Sequence, residues 1–276
     1  MLFKINTILL ATILLVSCKR LNSKATPTAK PASKPKSVVP KNIYGNVEKT
    51  KYLVGNYSSN KHLKYYKDKV NGRSFHMRHD VYRQFLKMQA AYARDASSDR
   101  QKVRKIFLRS AFRSFWSQKY IWESKYTGKR KMGKSIVGKS PAQKVNLILE
   151  YSSAPGTSRH HWGTDLDLNA LSNAYFKKGG QGEYLYQWLL KNAYKYGFCQ
   201  TYNSHAKRNF QGYFEERWHW SYAPIANRLQ ADWNEAYKKG KLDFKKHLGD
   251  AYLSEKRPIY VNAINSSCAK ITSASL

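Results

Sequence analysis

The sequence predicts an α+β fold, on three observations. Apolar residues recur at helical spacing in several stretches, as at Val81, Phe85, Met88 and Tyr92. Other stretches alternate at period two, most clearly Thr164 to Leu168. The two kinds follow one another without the regular βαβ succession of a parallel sheet, and no internal repeat is visible.

From the N-terminus, residues 1–18 combine a basic start, an uncharged apolar run from Thr7 to Val16, and Ser17-Cys18. This is the pattern of an export signal, too short for a spanning helix. No later segment is apolar enough for a membrane, which excludes a polytopic membrane protein. Leu15-Val16-Ser17-Cys18 resembles the lipobox of bacterial lipoproteins, which implies lipidation at Cys18 and a membrane-anchored protein of the bacterial cell envelope. Residues 19–43 are a Lys/Pro-rich run with Pro27, Pro31, Pro35 and Pro40 among lysines. Such a stretch cannot bury a face and reads as a disordered, extended tether. The folded domain is expected over 44–276. With 42% hydrophobic and 14% aromatic residues in 276, the chain has ample core material, and disorder throughout is excluded.

Within that domain, Asp80 caps a helix whose apolar face is Val81, Phe85, Met88 and Tyr92. Ile106 to Phe112 reads as a strand, and Ser114 caps the next helix. Ser140-Pro141 opens another, with Val145, Ile148 and Leu149 on one face. Ser152 to Ser158 is a loop. In the strand Thr164–Leu168, Leu166 and Leu168 face one way, Asp165 and Asp167 the other. Glu183 to Tyr196 is a helix closed by Gly197. Trp218 to Tyr222 is an aromatic strand. The chain from there to about 255 reads as helical, with Leu229, Trp233 and Tyr237 on one stripe, and Ile259 to Ile264 as a last strand.

The chain carries 50 Lys+Arg against 17 Asp+Glu, a formal net charge of +33, and so is drawn to polyanions. The export signal and the spread of basic residues argue against nucleic acid as the partner. Beyond Cys18, Cys199 and Cys268 remain, an even number suited to an oxidising compartment. They pair as a disulfide or stay as two buried thiols; the count does not choose.

Two polar-aromatic clusters stand out in a chain so poor in acids: Ser158-Arg159-His160-His161-Trp162-Gly163-Thr164-Asp165-Leu166-Asp167 and Glu215-Glu216-Arg217-Trp218-His219-Trp220-Ser221-Tyr222. Each sets carboxylates beside histidine. A His/His/carboxylate set leaves one zinc position free for water, the catalytic arrangement. The other histidines, His62, His76, His79, His205 and His247, read as surface residues. Trp162, Trp218 and Trp220 read as packing.

Ser158-x-His160-x-x-Gly163-x-x-x-Asp167 and Glu216-x-Trp218-His219-x-x-Tyr222 resemble the two signatures of the zinc D-Ala-D-Ala carboxypeptidases of the VanY type, grouped with lysostaphin-type endopeptidases and the Hedgehog signalling domain. Ser110-Ala111-Phe112-Arg113-Ser114-x-x-x-Gln118 is similar to a third block of that family, and Tyr196-Gly197-Phe198 and Gly212-Tyr213 also fit. Order and spacing hold over about residues 105–225. The resemblance implies a small antiparallel sheet carrying the zinc site and flanked by helices. It implies zinc on His160, Asp167 and His219, with Glu216 as general base and acid. Arg113 would bind the substrate's carboxylate or the developing oxyanion, and Gln118, Ser158 and Tyr222 would contact substrate. The implied activity is hydrolysis of peptidoglycan stem peptides by a monomer, as a carboxypeptidase or a cross-link endopeptidase; the rival is a non-catalytic wall-binding metal protein. Where the family has Ala, this chain has Asp165, either a partner orienting a ligand histidine or a solvated neighbour. His161 is the rival ligand to His160, and Arg159 and Arg217 read as solvated or phosphate-facing. Glu216 and His219 would face opposite ways on an ideal strand, so the segment must turn at Glu216.

Overall fold

The computed structural model describes residues 40, 42–96 and 105–272. The signal, Cys18 and most of the tether lie outside the described residues. Among the described residues, Ile43, the last residue of the expected tether, is buried, and α1 follows at Lys49–Leu53. A short α2, Ser59–His62, leads into a hairpin of β1, Lys64–Lys67, and β2, Ser74–Met77, neither read from the sequence. Helix α3 runs His79–Asp95 and buries the expected face of Val81, Phe85, Met88 and Tyr92. Asp80 lies in its first turn and binds Arg78 instead of capping the end. Strand β3 is only Leu108–Ser110. Ser114 then caps α4, Phe115–Tyr126, its Oγ accepting from Ser117 N at 3.2 Å. Helix α5, Pro141–Leu149, starts at Ser140 with a reciprocal cap between Ser140 and Gln143.

Strand β4, Asp165–Leu168, is buried throughout and sits at the centre of the functional sheet. After α6, Asn173–Phe176, and α7, Glu183–Asn192, a left-handed Gly197 turns the chain into β5, Phe198–Tyr202, a buried strand the sequence reading passed over. Strand β6, Glu216–Tyr222, completes an antiparallel sheet of order β3-β4-β6-β5. Helix α8 spans Ala223–Lys238 and buries Leu229 and Trp233. It stops well short of residue 255: Gly240, at φ 63°, provides the left-handed turn at which Lys241 N caps Ala236 O. The predicted last strand is instead a helix, α9, Lys256–Asn262, with Pro258 in its first turn and Arg257 and Val261 inward. Among the described residues, no helix is long and apolar enough to cross a membrane.

The alternation read in β4 divides the sheet's faces. Leu166 and Leu168 join Trp220, Phe198, Leu229 and Phe85 in the main core. A smaller core of Trp122, Val145, Ile148, Leu149, Tyr202 and Tyr213 lies beneath α4 and α5. Cys199 and Cys268 form a disulfide tying the C-terminal segment to β5.

Candidate active site

Register builds the site. Across β4 and β6, Asp167 pairs with His219 and Asp165 with Ser221, so all four lie on the polar face of the sheet. On the other side of β6, Gln200 opposes Trp220 while Tyr202 opposes Glu216. Two steps along β5 thus match four along β6, and this bulge breaks the alternation at the required place. Glu216 Oε2 accordingly lies 3.1 Å from His219 Nδ1.

His160 arrives from a short 3-10 turn, Arg159–Trp162, that ends at the left-handed Gly163. Its Nδ1–H donates to Ala111 O at 2.7 Å, leaving Nε2 facing Asp167 Oδ2 at 3.3 Å. His219 is held the other way round: Nε2–H donates to Asp165 Oδ2 at 2.8 Å, and Nδ1 faces Asp167 Oδ1 at 3.3 Å. One donor atom from each of His160, Asp167 and His219 falls within 4.8 Å of the others, and all three residues are buried. Asp167 Oδ1 accepts no hydrogen bond. Burial should lower the pKa of His219, but Asp165, Glu216 and Asp167 outweigh it and pull it up to about 10. A cluster this rich in buried carboxylate calls for a cation. Two neutral-capable imidazoles and a carboxylate are the donor set that suits zinc, with a position left for water.

Glu216, also buried, is held above the usual carboxylate range by burial and by Asp167, against the pull of His219. Arg113 lies beside the cluster, 3.9 Å from Asp167 Oδ2. Its guanidinium donates to Gln118 Oε1 at 2.7 Å and Ser110 Oγ at 3.0 Å. His160, Asp167, His219, Glu216 and Arg113 all line one cleft of about 600 Å³, with Tyr202, Tyr213 and Trp218 on its walls.

Several expectations are corrected. Gln118, Ser158 and Tyr222 do not line this cleft. Gln118 is fully buried between Arg113 and Ser153 O, Ser158 is buried in the loop before His160, and Tyr222 packs on Phe198. None has a surface through which to meet substrate. His161 is not a ligand: its Nδ1–H donates to Arg113 O at 2.6 Å and its Nε2 accepts from Gly156 N at 3.1 Å. Burial without a counter-charge pushes its pKa down to about 3, so it stays neutral and holds the Arg113 backbone. Arg159 is not solvated but 1% exposed, bonded to Asp165 at 3.2 Å and Ser221 Oγ at 3.0 Å and stacked over Trp162. Asp165 also accepts from Thr164 and Ser221, each at 2.8 Å. Although burial opposes it, Arg159 and His219 hold Asp165 well below the usual carboxylate range. Arg217 pairs with Glu215 at 3.3 Å. His247 is buried against Trp122, not on the surface. The sequence reading missed Lys125, Arg130 and Lys131, which also line the cleft; nothing in a lysine-rich chain marks which of its lysines faces a groove.

The chain is similar to known proteins. It is 27% identical over 190 residues to the YodJ protein of Bacillus subtilis, covering 66% of this chain and 60% of that one. It is 32% identical over 88 residues to the D-alanyl-D-alanine carboxypeptidase of Enterococcus faecalis, covering 32% and 31%. The chain therefore spans less than two thirds of the length of either relative. Among solved structures it resembles VanYB in complex with D-alanine-D-alanine, at 23% identity and a TM-score of 0.43 over 71% of this chain and 89% of that one. A family model described as D-alanyl-D-alanine carboxypeptidase matches residues 74–225, more than half of the chain and the whole of the cluster described above. On that match, the chain belongs to the VanY family.

Proposed function

We propose that this chain is an exported zinc peptidase that removes the terminal D-alanine from peptidoglycan stem peptides. One observation carries the reading: three buried donors converge within 4.8 Å at the wall of an open cleft, with Glu216 Oε2 3.1 Å from one of them. A purely structural metal site has no use for a free carboxylate there, which disfavours a non-catalytic wall-binding protein.

His160, Asp167 and His219 are the residues that would hold zinc. Bound there, zinc supplies Lewis acidity, lowering the pKa of water from about 15.7 toward about 7. Glu216 takes the proton of the attacking water and passes it to the departing amine; its raised pKa brings it closer to that task than an ordinary carboxylate. Arg113, fixed by Gln118 and Ser110, presents a permanent cation to the oxyanion that develops at the scissile carbonyl. Asp165 fixes the proton of His219 on Nε2, and Arg159 balances the charge of Asp165.

The test is incubation of the zinc-loaded protein with pentapeptide muropeptides and cross-linked dimers, followed by mass spectrometry. The expected product is the pentapeptide less one alanine. Separation of dimers with intact pentapeptides would assign an endopeptidase, and no mass change in either would overturn the reading.

Export and anchoring through Cys18 belong to the same proposal. Their support is the signal-like start and the disulfide, a bond at home in oxidising compartments. Cys18→Ser should move the protein from the membrane fraction to the soluble one or block processing. Full membrane retention of that variant in high salt would refute the anchor, because salt removes an electrostatic attachment.

A further inference from the structure

Besides Arg113, three cations line the cleft: Lys125 on α4, and Arg130 and Lys131 beyond it. Of the carboxylates in the same lining, Asp167 lies in the metal-binding cluster and Glu216 faces its His219 at 3.1 Å. Lys125 is half-buried, and its ammonium donates to a neutral oxygen, Ser152 Oγ, at 2.7 Å. The neighbouring Lys119 on the same helix has Glu123 at 2.6 Å, whereas among the described residues neither Lys125 nor Arg130 forms an ion pair. Burial and the charge of Arg130 push the Lys125 ammonium down to about 8, as befits a cation short of an anion. Glu216 and Arg113 are near enough for their charges to act on it as well.

A partly buried lysine beside an arginine, in a cleft whose acids are already engaged, is built to receive an anion. Arg113 is held by Gln118 and Ser110 against Asp167, beside the metal-binding cluster and so on the side of the cleft where the oxyanion would develop. We propose that Lys125 and Arg130, with Ser152, form an anion subsite that takes the free α-carboxylate of the substrate's terminal residue. The inference rests on the peptidase reading above and deepens it. A terminal carboxylate lies only a few bonds from the scissile carbonyl, so it must fall in the same cleft as Glu216. Lys125 is then the residue that selects a free C-terminus over an amide or an internal bond, and Arg113 is left to the oxyanion.

The test uses the zinc-loaded full chain carrying Glu216→Gln, so that ligand is not consumed. N-acyl-D-Ala-D-Ala and its C-terminal amide are titrated calorimetrically into this parent. Lys125→Gln should weaken binding of the acid about 10- to 100-fold, the scale of one lost charge-assisted contact, and leave the amide unchanged. Lys125→Arg should retain most of the affinity. Arg130→Gln, at an exposed position that cannot disturb the core, should show a smaller loss with the same selectivity for the acid. Equal binding of acid and amide by the parent, or acid binding untouched by both substitutions, would overturn the subsite. If Lys125-dependent, acid-selective binding appears but the wild-type chain shortens no muropeptide, the subsite stands and the peptidase reading falls.

Discussion

In the proposed mechanism Glu216 acts beside the metal and does not hold it. It faces His219 Nδ1 without belonging to the three-residue cluster. Glu216→Gln keeps its size and should retain about one zinc per chain while turnover falls about 10²–10⁴-fold, the range for loss of a general base. Metal analysis beside the muropeptide assay checks this, and loss of zinc would make Glu216 a ligand. His161 gives a test without activity. Its pKa of about 3 in the folded chain lies below the usual value of 6.5, so the unfolded chain binds the extra proton between those values. Its stabilising contribution is therefore complete above pH 6.5 and fades as pH falls toward 3. His161→Gln should be most destabilising at pH 8, with a deficit that narrows below pH 6.5 in urea titrations of metal-free protein; a constant deficit would show that His161 does not stay neutral. At this scale the sequence was informative where chemistry clusters: the two His- and carboxylate-bearing segments that carry the family resemblance bring His160, Asp167, His219 and Glu216 together. It was uninformative where burial decides. Arg159 looks like a surface arginine until Asp165, six residues on, is found fully buried and in need of a counter-charge.

Elements with strong local signals were legible for physical reasons. The Ser140-Pro141 start satisfies its own helix end, and the apolar face of α3 repeats over several turns. Elements defined by distant partners were not. Ile259-Tyr260-Val261 is β-branched and aromatic and looks like a strand, but the run is too short to show its period, and packing makes it α9. The short strand β5 is buried on both faces, and the bulge in β6 appears only once β5 is set against it. One tight approach between elements has a measurable cost. Gly55 follows α1 at φ 76°, and a methyl group there would overlap the His161 ring. Gly55→Ala should destabilise the fold by about 2–4 kcal/mol, combining left-handed strain with overpacking. Thermal melts read it directly; a change within about 0.5 kcal/mol would mean that α1 can move away freely.

For the molecule as a whole, the Cys199–Cys268 bond spans a sequence separation of 69 residues. A loop of that length corresponds to roughly 4 kcal/mol in the chain-entropy account. Cys199→Ala with Cys268→Ala should therefore lower stability by about 2–4 kcal/mol in denaturant. Zinc affinity should stay near the parent value, because neither sulfur belongs to the metal-binding cluster. Unchanged stability would show that the bond closes a loop that the fold already closes unaided. The same bond sets how the molecule would bear a pull. Force applied between the two ends of the chain would pass through the bond and bypass the segment between the two sulfurs, which contains Glu216, His219, β6 and α8. At about 3.5 Å per extended residue, roughly 240 Å of contour stays hidden while the bond is closed. A stretched, oxidised molecule should thus lengthen by that much less than a reduced one, and the stretch of chain bearing Glu216 and His219 would not be drawn out straight even after the rest has given way.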